Sequence, residues 1–236
     1  KDMKKRIILE KEGIAQIKKG NYNFNIGSKK IRTAMIGLGK IAWTYQSDPF
    51  VMKRMDFPTH FSVLRKHPGF QLVAVQDSNA KARKLFSGAV KREQEKPNFY
   101  KNWEEMIKKE SIDLLVVASN TESHYEICNR AIDLGVKNIL CEKPLSRHLK
   151  EAEKLVNKAN KNKCALFVNY FRAFNPSYIE LIERLKNGFL GRIQGFDVKY
   201  SRGILNNGTH VIDLLIRMFG EIKLVRGLKN PTCSVS

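Results

Sequence analysis

Glu142, Lys143 and Pro144 follow one another where the apolar run "VKNILC" ends. In an open α/β sheet, ligands bind outside the carboxyl ends of the strands, so this is where a carboxylate and an ammonium could act on one. A lysine in a partly desolvated cleft can donate or relay a proton near neutrality, because burial disfavours its charged form. Pro144 steers Lys143 away from helical geometry and permits a cis peptide. The same three residues would also serve as a polar strand end before a proline-initiated helix, and spacing alone leaves both readings open.

A second group lies upstream. "IGLGKIA" sets Gly37 and Gly39 directly after an apolar run and puts Ala42 at the third small position. Glycine allows a tight turn and the close approach of a pyrophosphate, which then sits at a helix N-terminus. The next apolar run, "QLVAVQD", ends in Asp77, the acid expected to bind an adenosine ribose. Asp77 comes nearly forty residues after the glycines, about twice the usual interval. An insertion, "TYQSDPFVMKRMDFPTH", accounts for the excess. An ordinary strand–helix turn at the glycines and a helix N-cap at Asp77 are the plain alternatives. An acid here favours NAD, while Lys81 and Arg83 close by keep NADP open.

The elements that must carry these residues alternate. "IRTAMIG", "QLVAVQD", "IDLLVVAS", "VKNILCE" and "CALFVNY" are short runs apolar on both faces, as in parallel strands covered by helices. Between them, "ESHYEICNRAIDLG" places Ile127, Cys128, Ala131 and Leu134 on one helical face, with Gly135 as a C-terminal stop. After Pro144, a second helix groups Leu149, Ala152, Leu155, Val156 and Ala159. This predicts a doubly wound α/β domain over residues 31–170. Beyond it come a helix in "PSYIELIERLKNG", an alternating strand in "GFDVKYS", a helix from about Gly208 to Phe219, and a last strand-like piece, "IKLVRGL". In the helix near Gly208, Ile212, Leu215, Ile216 and Phe219 form the expected buried stripe. His210, Asp213 and Arg217 fall on the other face. Two strands make a poor sheet, so residues 171–236 read as a truncated α+β domain.

Composition narrows the partners. Of the net charge of +20, residues 1–30 hold +6 as a basic extension, and the remaining +14 is spread over lysine-rich helix surfaces. A nucleic-acid footprint would cluster on one face, so none is expected, although the excess could draw a phosphorylated substrate. No run is long and apolar enough for a membrane span, and no signal-peptide pattern is visible. Cys128, Cys141, Cys164 and Cys233 form no C-x-x-C pair and sit mostly in apolar runs, which predicts reduced structural thiols, no metal site and a cytoplasmic protein.

"ASNTESHYEI", "ILCEKPLS", "NYFRAFNPSY", "LKNGFLGRI" and "NNGTHVIDLLIRMFGE", in that order behind "IGLGKIA", resemble the Gfo/Idh/MocA family. These are the oxidoreductases related to glucose–fructose oxidoreductase and inositol dehydrogenase. The resemblance runs from Ile31 to about Ile222. It implies a Rossmann domain, then an α+β domain with an open, mostly antiparallel sheet that associates into homo-oligomers. The implied activity is transfer of a hydride between NAD(P) and a secondary alcohol or ketone of a sugar, nucleotide-sugar or cyclitol.

The resemblance also assigns residues. It makes Lys143 the catalytic lysine and puts Glu142 by the nicotinamide ribose. Gly37, Leu38, Gly39, Lys40 and Ile41 would cradle the cofactor, together with Ser119, Asn120, Thr121 and His124, the last opening the helix beneath the nicotinamide. His210 becomes a proton-transfer or substrate-binding group, where spacing alone leaves a capping histidine open. Asn169, Asn206, Asn207 and Asp213 would contact substrate. Arg172 would take a carboxylate or phosphate, or else pair with an acid at the domain interface. Many family members carry an aspartate where this chain has Asn206. An amide cannot accept a proton, and the Asn-Asn-Gly-x-His pattern is nearer to sugar-nucleotide dehydrogenases. A dinucleotide-binding sensor without catalysis, or an inactive fragment, is the alternative; the pair Lys143 and His210 favours an enzyme.

Overall fold

The computed structural model describes residues 29–226, apart from positions 54, 92, 94 and 95. The basic extension therefore lies outside the described residues but for its last two, as do Cys233 and the end of "IKLVRGL". Two compact units divide after Val168.

The first unit is a six-stranded parallel sheet of β1 (Ile31–Ile36), β2 (Phe70–Gln76), β3 (Asn98–Tyr100), β4 (Leu114–Val117), β5 (Asn138–Cys141) and β6 (Ala165–Val168). The order is β3-β2-β1-β4-β5-β6, reversing direction between β1 and β4. Helices α1 (Pro49–Met52), α2 (His60–Lys66), α3 (Ala80–Ala89), α4 (Trp103–Lys109), α5 (Thr121–Asp133) and α6 (Leu149–Lys161) connect them. Alternate residues of each strand feed two separate cores. Ala34, Ile36, Leu115, Val117, Ile139 and Cys141 meet α4, α5 and α6, whereas Met35, Val75 and Val116 meet Phe61 of α2 and Phe86 of α3. That two-sided burial is why these runs are apolar throughout.

Register sets the working edge. Ile36 pairs with Gln76 and Val117, and Val117 pairs with Cys141. These four residues form one row across the sheet, so Asp77, Gly37, Ala118 and Glu142 all leave it along the same line.

Several expectations need correction. β3, at three residues, is too short to show a period in the sequence. In α6, Leu155 and Ala159 are buried, but Leu149 is 74% exposed and Val156 is exposed too. The helix touches its neighbours along a stripe narrower than its apolar residues.

The second unit holds α7 (Pro176–Lys186) and α8 (Thr209–Phe219), with a 3-10 turn at Phe171–Phe174 and a π turn at Ile204–Gly208 leading into α8. Its helices start and stop as expected, with Asn175 capping α7 through a side-chain bond to Ser177 N and Pro176 at its first position. The expected buried stripe of α8 is displaced. His210 is 3% exposed and Leu214 is buried, whereas Ile216 is 46% and Phe219 42% exposed. Positions i and i+4 share a face, and here that face carries the histidine. Neither 195–201 nor 222–226 pairs into a strand among the described residues. A strand needs a neighbour to hydrogen-bond, and alternation alone does not supply one.

Candidate functional site

The row of strand ends borders an open cleft of about 660 Å³, within the range of small-molecule and cofactor sites. Gly37, Leu38, Gly39, Lys40 and Ile41 line it, with Asp77, Ser119 and Asn120. Gly37 has φ +90°, and a Cβ there would stand 2.7 Å from Ala118 O and Ser119 N. The turn therefore lies against the end of β4 and admits only glycine. Gly39 differs, since nothing stands within 4 Å of where its Cβ would be. Its missing side chain leaves free space at the cleft.

The helix expected directly after the glycines is split. Trp43 N donates to Gly39 O at 3.1 Å, and the chain then departs through a 3-10 turn at Thr44–Ser47 and α1. It returns at α2, where His60 N donates to Ile41 O at 3.1 Å and Phe61 N to Ala42 O at 2.9 Å. With residues 44–58 taken out, both bonds would run from residue i to i−4. One helix is thus interrupted by fifteen residues. Asp77 is 38 positions after Gly39, and 23 without them, close to the ordinary interval.

Asp77 closes the turn. Its Oδ2 accepts from Leu38 N and its Oδ1 from Asn79 N, each at 2.8 Å. Each carboxylate oxygen has a second lone pair for a ribose hydroxyl. The N-cap of α3 is Asn79, whose side chain accepts from Lys81 N and Ala82 N, so capping does not explain Asp77. Arg83 points its Nη1 at Asp77 O, 2.6 Å away. On the far wall, Asn120 makes no side-chain cap at the start of α5. Ser123 N turns back to Asn120 O at 3.1 Å, so the N–H groups of Thr121 and Glu122 are the ones this helix start offers to a ligand or water.

Glu142 is 8% exposed, and its N donates to Val117 O at 2.9 Å. Its Oε1 lies 2.8 Å from His60 Nε2, and its Oε2 accepts from Lys143 N at 3.3 Å. A buried carboxylate is costly unless paired, and His60 supplies the partner. The Lys143–Pro144 bond is cis, and Lys143 is half-buried. His124 is buried with Nδ1 2.9 Å from Pro144 O and Nε2 3.2 Å from Ser119 O. A neutral ring can donate to only one of these carbonyls. Its place is behind the turn, strapping it to the end of β4, and neither His124, Thr121, Glu142 nor Lys143 lines the cleft itself.

The remaining candidates belong to the second unit. His210 packs edge-on against Tyr170 and Phe171, with ring centroids 5.7 and 5.1 Å away. Burial pushes the Tyr170 hydroxyl up from its ordinary pKa, opposed by a hydrogen bond with Thr209. Asp213 accepts from Arg217 Nε at 3.0 Å. Asn169 and Arg172 flank Tyr170 and are half-buried, as is Asn207, while Asn206 is exposed on the π turn.

Sequence patterns alone do not point to His60, nor to Tyr45, Trp103 and Ser123 among the other residues that line the cleft. For His60 the nearest signal is local, since Thr59 and Ser62 form a capping box that marks a helix start inside the insertion. Cys128 and Cys141 are fully buried. A hydrogen bond between them, and then burial, push the Cys141 thiol up, so it stays an inert thiol. Among the described residues, no group of three His, Cys, Asp or Glu could hold a metal ion, and no helix is long and apolar enough to cross a membrane.

An uncharacterized oxidoreductase of Schizosaccharomyces pombe is 27% identical over 208 residues, covering 80% of this chain and 52% of that protein. Myo-inositol 2-dehydrogenase of Thermotoga maritima is 31% identical over 96 residues, 39% of this chain and 28% of that protein. The WlbA dehydrogenase of Bordetella pertussis, solved with NADH and UDP-GlcNAcA, shares the fold with a TM-score of 0.65. That match is 19% identical and covers 81% of this chain and 59% of that one. The chain spans about half the length of the curated relatives it matches. Residues 31–170 match the family model described as the oxidoreductase family with an NAD-binding Rossmann fold. The chain belongs to the Gfo/Idh/MocA oxidoreductase family.

Proposed function

We propose that this chain carries the cofactor site and part of the substrate site of an NAD(P)-dependent dehydrogenase acting on a sugar, nucleotide-sugar or cyclitol. The observation that carries the reading is the common row of strand ends, which brings Gly37–Gly39, Asp77 and the Glu142–Lys143–Pro144 turn to one edge of the sheet. The open space over Gly39, the uncapped start of α5 and the spare lone pairs of Asp77 fit a dinucleotide. Gly37, Leu38, Gly39, Lys40 and Ile41 would pass beneath its pyrophosphate, with Ser119, Asn120 and Thr121 facing them. Asp77 would hold the adenosine ribose and Glu142 the nicotinamide ribose. When bound, the nicotinamide supplies the hydride acceptor or donor.

The chain's own residues orient substrate and move the proton. Lys143, half-buried beside Glu142, would face the substrate oxygen and take or return its proton; His210 is the second candidate for that transfer. Asn169, Arg172, Asn206, Asn207 and Asp213 would bind substrate, and an open antiparallel sheet of the second domain would complete that site. The Asn206–Asn207 pair and the nucleotide sugar bound to the Bordetella enzyme both point to a nucleotide-sugar substrate. Association through that sheet is part of the same proposal. The test is absorbance at the NADH band with a panel of nucleotide-sugars, free sugars and inositols. Turnover confined to nucleotide-sugars is expected; NADH binding with no turnover on any of them would return the chain to a non-catalytic binder.

A further inference from the structure

His60 comes from neither the glycine turn nor the Glu-Lys-Pro turn, yet it is bonded to both. Its backbone N donates to Ile41 O at 3.1 Å, and Ile41 lines the cleft. Its ring Nε2 meets Glu142 Oε1 at 2.8 Å, with both side chains 10% exposed. Thr59 holds the residue in place, because the capping box fixes the first turn of α2 through Ser62. The other carboxylate oxygen accepts from Lys143 N. A rigid helix start therefore clamps one oxygen of Glu142 and leaves the other against the lysine's own backbone.

We infer that His60 is a positioning residue for the nicotinamide end of the dinucleotide site, acting through the Glu142 carboxylate, which leaves the sheet on the same row as the cleft residues but beyond their lining. The side of the cleft follows from the strand order. Asp77 ends β2 and Glu142 ends β5, on opposite sides of the reversal between β1 and β4. A dinucleotide crossing that reversal with its adenosine ribose on Asp77 brings its nicotinamide ribose towards β4 and β5. Without His60, Glu142 loses one charge-assisted bond and the constraint that bond places on its rotamer. The carboxylate then turns away from the ribose or carries a water instead. Where the chain returns from the fifteen-residue interruption, His60 thereby links the pyrophosphate turn to the Glu-Lys-Pro turn.

This rests on the dinucleotide reading of the cleft, and the test separates the two. NADH and ADP, which lacks the nicotinamide riboside, are titrated calorimetrically into the chain and its variants. His60→Ala should weaken NADH about tenfold and leave ADP unchanged. His60→Gln, whose amide can still donate to the carboxylate, should recover most of the loss. Glu142→Gln should lose a similar factor, and adding His60→Ala to it should cost little more, because the two act as a pair. Equal weakening of both ligands in His60→Ala, or no recovery with glutamine, would overturn the positioning role and assign His60 to packing. If His60→Ala fails to fold, Glu142→Gln carries the test, since unchanged NADH affinity in it overturns the proposal as well. A wild-type chain that binds neither ligand overturns the dinucleotide reading itself, and the proposal with it.

Discussion

Two glycines two residues apart should fail in opposite ways. An alanine at Gly37 must adopt φ +90° and place a methyl 2.7–2.8 Å from Ala118 O, Ala118 C and Ser119 N. All three are backbone atoms of the β4–α5 connection, so no side chain can swing aside. The left-handed conformation costs about 1–2 kcal/mol and the overpacking about 1–3 kcal/mol more, giving a loss of about 2–5 kcal/mol. In a chain of this size that lowers the melting temperature of the first unit by about 5–15 °C. At Gly39 the new methyl meets nothing within 4 Å, so Gly39→Ala should melt within a degree or two of wild type. It should instead obstruct a pyrophosphate; an ill-placed methyl in a tight site costs roughly 10–200-fold. The assay pairs thermal unfolding with NADH titration followed by energy transfer from tryptophan. The chain has only Trp43 and Trp103. The first donates from Nε1 to Leu38 O at 2.9 Å, and the second lines the cleft, so both report on it. A stable Gly37→Ala, or a Gly39→Ala that loses stability while keeping its affinity, would refute the reading of this turn.

Lys143→Met should retain NADH affinity and lower turnover by about 10²–10⁴-fold, as expected when a proton-transfer group is removed; a variant with most of its activity would assign the proton to another group. Asp77→Ala should weaken NAD more than NADP, because the carboxylate accepts from ribose hydroxyls and repels a 2′-phosphate. An unchanged ratio of the two affinities would remove Asp77 from the ribose site. Tyr100 gives a pH signature: burial first, then its 2.8 Å bond to Glu110 and the charges of Glu110 and Glu105, push its hydroxyl up to about 12. The unfolded phenol titrates near 10, so between about pH 10 and 12 the folded chain keeps a proton that the unfolded chain has lost. This contribution is complete below pH 10 and disappears as pH rises to 12. Urea unfolding at several pH values should show a steeper decline for wild type than for Tyr100→Phe, and equal slopes would count against it.

The first unit was largely legible because its determinants are local. Continuous apolar runs, Gly135 after α5 and the glycine turn each declare themselves within a few residues. The interruption was visible as excess length, but not its form, since the bonds of His60 and Phe61 to Ile41 and Ala42 join residues nineteen apart. His210 was read onto the open face of its helix by wheel geometry alone. What buries it is Tyr170 and Phe171, forty residues earlier, and no pattern within α8 announces them. The alternation of Phe196, Val198 and Tyr200 reads as a strand, but pairing depends on a partner that local sequence does not contain.

The split helix gives this fold a tolerant point for changes in chain length. Its two broken ends are rejoined by the hydrogen bonds an intact helix would have made there, so the sheet need not register how many residues lie between. A shorter or longer detour would alter the rim of the cleft and leave the six strands as they are. Relatives could diverge there in reach or selectivity without rebuilding a core, and an engineer could graft a reporter or a recognition loop at the same place.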